Sequence, residues 1–258
     1  MVEIISFGSS SRGNAFLFRT SRTSVLVDAG FSPRYLRESL LRCGIADHQL
    51  AAILVTHEHA DHIRGLAGLL RWQSCPVVAT AGTLQALRLD AAHEVVLRPG
   101  DWIEIGELAL RAIPVPHDAN EPIGLHIVTD KASVAFFTDL GSLTLDVTAT
   151  LQQVTFAIVE ANHDRQLLDS GPYPLWLKRR IASRHGHLSN DDAAAAAGLC
   201  SSRLEALWLA HLSEENNRPD LARACVERGL APDRLVPITP LPARGLYRWS
   251  PREVTTRE

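Results

Sequence analysis

The chain has 258 residues, 46% of them hydrophobic, which is enough to bury a large core, and no apolar run is long enough to span a bilayer. A net charge of -3 excludes a polycation that coats nucleic acid indiscriminately, though a local basic patch stays open. Cys43, Cys75, Cys200 and Cys225 stand far apart with no Cys-x-x-Cys pair, and the N-terminus carries an acid and a strand-like pattern instead of a basic leader, so reduced structural thiols in a cytoplasmic protein are expected.

Residues 2–7 and 14–19 read as strands joined by the glycine- and serine-rich turn 8–13, which lacks the Gly-Lys-Ser/Thr ending of a phosphate loop. A third strand over 24–30 ends in a carboxylate and a glycine, Asp28-Ala29-Gly30. Asp28 either supports a metal ligand from outside or caps a helix starting near Pro33, and the first reading is favoured.

The apolar run 51–55 then leads directly into Thr56-His57-Glu58-His59-Ala60-Asp61-His62. Three histidines and Asp61 within six residues are a ligand supply that a two-metal site needs and a solvated polar loop does not. Helical spacing alone would turn His59 away from the others. A tight loop leaving a buried strand can aim all of them at one point, with a helix expected over 63–70. Neutral imidazole and carboxylate suit zinc or a similar divalent ion.

Further along, 76–80 reads as a strand and 84–87 as part of a helix. Strands within 101–115, broken by Gly106, end at Pro114-Val115-Pro116-His117-Asp118, where two prolines stiffen the loop and fix His117 as a further ligand. A hairpin over 123–129 and 132–137 runs into Thr138-Asp139. The apolar run 156–159 ends in Glu160-Ala161-Asn162-His163-Asp164, and 206–210 ends in His211. Hydrophobic strands thus repeatedly end in metal-type residues, which places them along one edge of the fold.

Between these lies a basic segment, 178–184, and then His185-Gly186-His187-Leu188. Ser189 or Asn190 caps an alanine-rich helix with Asp191 and Asp192 in its first turn. An amphipathic helix over 218–228 and short strands near 234–237 and 246–249 close a single domain over 1–250, followed by a polar, frayed tail, 251–258. There is no short-period repeat.

The pattern His57-x-His59-x-Asp61-His62, followed in order by His117, Asp139 and His211, resembles the metallo-β-lactamase fold superfamily across nearly the whole chain. The resemblance implies an α/β fold of four layers, an αβ/βα sandwich with two face-to-face sheets and helices outside. By position, it implies one metal on His57, His59 and His117 and a second on Asp61, His62 and His211, with Asp139 bridging. Asp61 would also orient the nucleophile. Two divalent ions less two carboxylates and a bridging hydroxide leave one positive charge to hold an anionic substrate. Such a site makes hydroxide available near pH 7 and stabilises the attacked ester over a metal separation of roughly 3.5 to 4 Å.

The segment 186–194 is similar to the Gly-His-Ser-Thr region of ribonuclease Z and related phosphodiesterases, which makes His187 the candidate to contact the scissile phosphate and protonate the leaving oxygen, against the alternative of a histidine packed at a helix start. Residues 8–14, 160–164, 171–174, 177–181 and 211–217 together resemble the YycJ/WalJ-type branch, regarded as cytoplasmic DNA exonucleases.

The expectation is therefore a binuclear metal-dependent hydrolase, a phosphodiesterase or exonuclease with zinc or manganese favoured over iron, and DNA favoured over RNA. No arm of the ribonuclease Z kind is seen. Arg180, in the basic segment, and His163 are candidate substrate-binding residues with His187. For the basic segment a plain solvated helix face is an equal alternative, and for His163 a helix cap is. Two other readings stay open: hydrolysis of a small phosphodiester, thioester or lactone, and a regulatory module with a structural metal, which the supply of seven ligands opposes.

Overall fold

A computed structural model describes residues 2–252, and within them the strands pair into two seven-stranded sheets. The first sheet has the order β14-β1-β2-β3-β4-β5-β6: β1 (Glu3–Ser10), β2 (Gly13–Arg19), β3 (Ser24–Val27), β4 (Ala52–Leu54), β5 (Val77–Ala79), β6 (Glu94–Val96) and β14 (Tyr247–Trp249). The second has the order β13-β12-β11-β10-β9-β8-β7: β7 (Trp102–Ile105), β8 (Leu108–Pro114), β9 (Ile123–Val128), β10 (Ser133–Phe137), β11 (Phe156–Glu160), β12 (Ala206–Ala210) and β13 (Ile238–Pro240).

Alternation along each strand assigns its two faces. Ile4, Phe16, Phe18, Val25 and Val27 of the first sheet meet Leu110, Leu125, Phe136, Phe156 and Trp208 of the second in one buried core. Phe16 and Phe136 pack edge to face across that core, with ring centroids 4.9 Å apart. The opposite face of the first sheet, with Ile5, Leu17, Leu26 and Ile53, is covered by α1 (Pro33–Arg42), α2 (Ala60–Ile63), α3 (Leu66–Leu69) and α4 (Ala81–Leu87). The outer face of the second sheet, with Ala135, Phe137, Ala157 and Leu207, is covered by α5 (Leu145–Leu151), α8 (Asn190–Leu199) and α9 (Pro219–Gly229). Between β11 and α8 the chain also forms α6 (Arg165–Ser170) and α7 (Leu175–Ile181). The result is the four-layer αβ/βα sandwich, and no described helix is long and apolar enough to cross a membrane.

Parallel pairing brings the chemistry to one rim. Val27 pairs with Leu54, so the residues just past β3 and β4, Asp28 and Thr56, meet: Thr56 N donates to Asp28 Oδ1 at 2.9 Å. In the second sheet Phe137 pairs with Val159 and Val159 with Leu209, which brings Asp139, Glu160 and His211 to the same end of the sheet. Loops that follow the carboxyl ends of parallel strands are where α/β folds collect ligands.

Some local expectations give way to tertiary contacts. The helix expected over 63–70 begins earlier and is broken into α2 and α3 at Gly65, because that backbone docks against the end of β3: Gly65 N donates to Ala29 O at 2.8 Å, and a Cβ there would lie 2.1 Å from the Phe31 carbonyl oxygen. The last strand of the second sheet is at Ile238–Pro240, not 234–237, where it pairs in register with Leu207. The turn expected over 8–13 shrinks to Ser11 and Arg12 because both flanking strands run further. β6, α5 and α6 add to the elements read from sequence, and most of the tail expected over 251–258 lies outside the described residues.

Candidate metal centre

The loop after β4 carries four donors. His57 extends from the strand, His59 occupies the position before α2, and Asp61 and His62 lie within that helical turn. The loop is pressed onto the end of β3, where Ala29 N donates to His62 O at 2.7 Å. Gly30 permits this approach, since a Cβ there would fall 1.6 Å from the Asp61 carbonyl oxygen. From the second sheet come His117 after β8, Asp139 after β10 and His211 after β12. Asp139 and His211 adopt left-handed backbone, φ 51° and 54°, as does Asp28 at φ 62°. In this region an ordinary side chain is strained, and such strain persists where the surroundings fix it.

The seven side chains form two adjoining groups. Ligand atoms of His57, His59 and His117 lie within 4.8 Å of one another, and so do those of Asp61, His62, Asp139 and His211. His117 Nε2 is 3.2 Å from His59 Nδ1, His62 Nε2 is 2.9 Å from Asp139 Oδ2, and His211 Nε2 is 3.2 Å from Asp61 Oδ2. Asp139 joins the groups, with Oδ1 3.7 Å from His117 Nε2. His57 Nε2 is buried with no hydrogen-bond partner, an expensive arrangement for a ring nitrogen unless a cation takes its lone pair. The donor set therefore fits divalent metal ions.

The outward nitrogens of three of these imidazoles are anchored. His62 Nδ1 is 2.7 Å from Asp28 Oδ2, His117 Nδ1 is 3.0 Å from Gly186 O, and His211 Nδ1 is 2.8 Å from Glu160 Oε1. Each contact holds the proton on Nδ1 and turns Nε2 inward, as metal-ligating histidines require. The outer position of Asp28 follows, whereas the cap of α1 is Ser32.

Electrostatics separate the two groups. Burial pushes the His57 pKa well below its ordinary value, helped by the neighbouring His62 ring, and burial likewise lowers His117, so both pKa shifts favour the neutral ring. Burial also opposes charge on His62, but Asp139, Asp28 and Asp61 outweigh it and raise the pKa well above normal. His211 is pushed up to about 10, with burial overcome by Asp139, Asp61 and Glu160.

Glu160, fully buried, is the participant that sequence reasoning did not assign. Its Oε1 lies 2.8 Å from both His187 Nδ1 and His211 Nδ1, and its Oε2 accepts from Leu140 N at 2.8 Å and Leu188 N at 3.1 Å. Burial raises its pKa, but His187 and His211 more than offset this and bring it down to about 2. Its position at the end of an apolar strand was the available signal. Asn14 is a second unassigned contributor, donating to Asp61 Oδ2 at 3.4 Å from the start of β2.

His187 borders a cavity of about 370 Å³ that is also lined by His59, Asp61, Asp139 and His211. Arg180 lines the same cleft and pairs with Asp118. The expectation that His163 lines the channel is not met. Adjacent residues leaving a strand point to opposite sides, so Asn162 faces the cleft and His163 turns inward, 2% exposed, with the α6 cap supplied by Asp164.

Comparison with known proteins agrees with this geometry. The family model described as beta-lactamase superfamily domain matches residues 23–211. The chain is 34% identical over 231 residues to the exodeoxyribonuclease WalJ of Streptococcus pneumoniae and 33% identical over 228 residues to the exodeoxyribonuclease YycJ of Bacillus anthracis, in each case covering 86% of both chains. In three dimensions it is similar to the metallo-β-lactamase fold protein YhfI of Bacillus subtilis, with a TM-score of 0.76 at 16% identity over 96% of this chain and 99% of that one.

Proposed function

The chain belongs to the beta-lactamase superfamily, and from that membership we propose that it is a binuclear metal-dependent phosphodiesterase that degrades DNA as an exonuclease. The observation that carries the reading is the pair of donor groups joined at Asp139, with His187 beside them on the wall of the cleft. We assign His57, His59 and His117 to one ion, Asp61, His62 and His211 to the other, and Asp139 to both. When bound, the metal pair, zinc or manganese, supplies Lewis acidity toward a phosphodiester and activates water near neutral pH.

The protein's own groups then divide the remaining work. Asp61, which accepts from Asn14, orients the attacking water. His187, its Nδ1 fixed by Glu160, presents Nε2 to the leaving oxygen and donates a proton there. Burial disfavours charge on His187, but Glu160 overrides it and raises the pKa, which favours the protonated donor. Arg180 offers a guanidinium to a neighbouring phosphate, in exchange for Asp118.

The test is release of nucleotides from labelled single- and double-stranded DNA and RNA with free or blocked ends, in zinc or manganese, with His59→Ala as control. Metal-dependent shortening of DNA from a free end, lost in the variant, is the expected result. The cavity, about 370 Å³, lies toward the small end for ligand sites, which favours a small phosphodiester as the second reading. Turnover of such a diester without action on polynucleotides would select it.

A further inference from the structure

α7 is built to present side chains. None of its residues is buried, whereas α8 buries Asn190, Ala193, Ala194, Ala196 and Ala197. It starts with two exposed apolar side chains, Leu175 at 61% and Trp176 at 66%. One face of the segment, through Tyr173, Leu177, Arg180 and Ile181, forms a wall of the cleft beside His187. Residues four apart share a helix flank, so Trp176 stands beside Arg180 at the edge of that wall. Leu175, Lys178, Arg179 and Ala182 instead line a separate outer groove.

The segment after this indole is basic, with Asp118 and Asp169 beside its cations. Residues 178–184 hold four cations and no acid in a chain of net charge -3. Arg180 pairs with Asp118 and Lys178 with the carbonyl of Asp169, while Arg179 and Arg184 have no ion-pair partner among the described residues. An exposed flat ring one helical turn from the unpaired Arg179 and from Arg180, beside a phosphodiesterase cleft, is the combination that grips a nucleic acid strand, stacking for the base and cations for the backbone.

We propose that Trp176 is a stacking platform for a nucleobase beside the scissile phosphodiester, so the site takes polynucleotide ends whose terminal bases are unstacked from their neighbours. The inference rests on the phosphodiesterase reading and adds to it the form of the substrate. It gives the basic segment a use and explains why a large aromatic ring stays in water.

The experiment compares wild type, Trp176→Ala and Trp176→Phe in the metal-loaded enzyme, using a single-stranded oligonucleotide and bis(p-nitrophenyl) phosphate, a diester without a base. Loss of one stacked base lowers oligonucleotide kcat/KM by roughly five- to 150-fold relative to that for the small diester in Trp176→Ala. Phenylalanine restores most of it. A phosphorothioate thymidine oligomer, which resists cleavage, quenches tryptophan fluorescence in wild type but much less in Trp176→Phe. An unchanged ratio of the two kcat/KM values, equal quenching in both proteins, or a wild-type dimer that Trp176→Ala dissociates would overturn the proposal, the last by giving the patch to a second copy. If the wild type cleaves neither diester, the phosphodiesterase reading fails by itself, and the quenching alone decides the stacking.

Discussion

Asp28 Oδ2 lies 2.7 Å from His62 Nδ1, with both side chains wholly buried. The contact spans 34 positions of chain and fixes which nitrogen of His62 faces the metal groups. Asp28→Asn keeps the shape but removes the charge that holds the ring in that tautomer. Zinc affinity is expected to fall about 10- to 100-fold, read by calorimetric titration of the apoprotein. Unchanged affinity would remove Asp28 from the design of the centre.

His187 stands, like the proposed ligand His211, between Glu160 and the open cleft, but its side chain is 20% exposed against 2% for His211. His187→Ala is expected to retain its full metal content while turnover of oligonucleotides falls by about two to four orders of magnitude. A diester with an acidic phenol leaving group needs less protonation and should be hurt less. Loss of an ion in this variant, measured by elemental analysis, would make His187 a ligand instead.

Glu107, after β7, is held by the Thr20 hydroxyl and by Arg22, and its pKa drops to about 2 from an ordinary 4.5. A carboxylate whose folded pKa is depressed stabilises the fold above its unfolded value and loses that contribution as pH falls through the folded one. Glu107→Gln should therefore melt below wild type near neutral pH, with the gap closing between pH 4.5 and about 2. A gap independent of pH would show that charge is not what ties the β7–β8 turn to the first sheet.

The thiols are insulated. Burial pushes Cys75 up to about 11 and Cys200 to about 12, and it also raises Cys43 and Cys225. Thiolate is the reactive form, so at neutral pH a disulfide reagent should titrate at most the partly exposed Cys225 in the native protein and all four cysteines after denaturation. Rapid native labelling of Cys75 or Cys200 would contradict the packing.

What the sequence made legible follows the range of the forces involved. His57 to His62 could be read because strand, loop and ligands are contiguous, and His117, Asp139 and His211 because each ends an apolar strand. Glu160 obeys the same rule, yet its role depends on register with β12 and on the loop that brings His187 over it, which no local pattern encodes. His163 was the attractive residue in that stretch, and strand alternation turned it away. α5 escaped notice since Val147, Thr148 and Thr150 are weak helix formers, held there by packing against the second sheet. The break at Gly65 is likewise a contact with distant backbone.

Each donor group draws from both sheets: His57 and His59 face His117, while Asp61 and His62 face Asp139 and His211. A cation seated in either is thus a clasp across the seam of the sandwich, and its affinity is also cohesion. Saturation at a hundred times the dissociation constant adds about 2.7 kcal/mol to folding. Chelators should consequently do two things at once, silencing the protein and slackening the join between its halves.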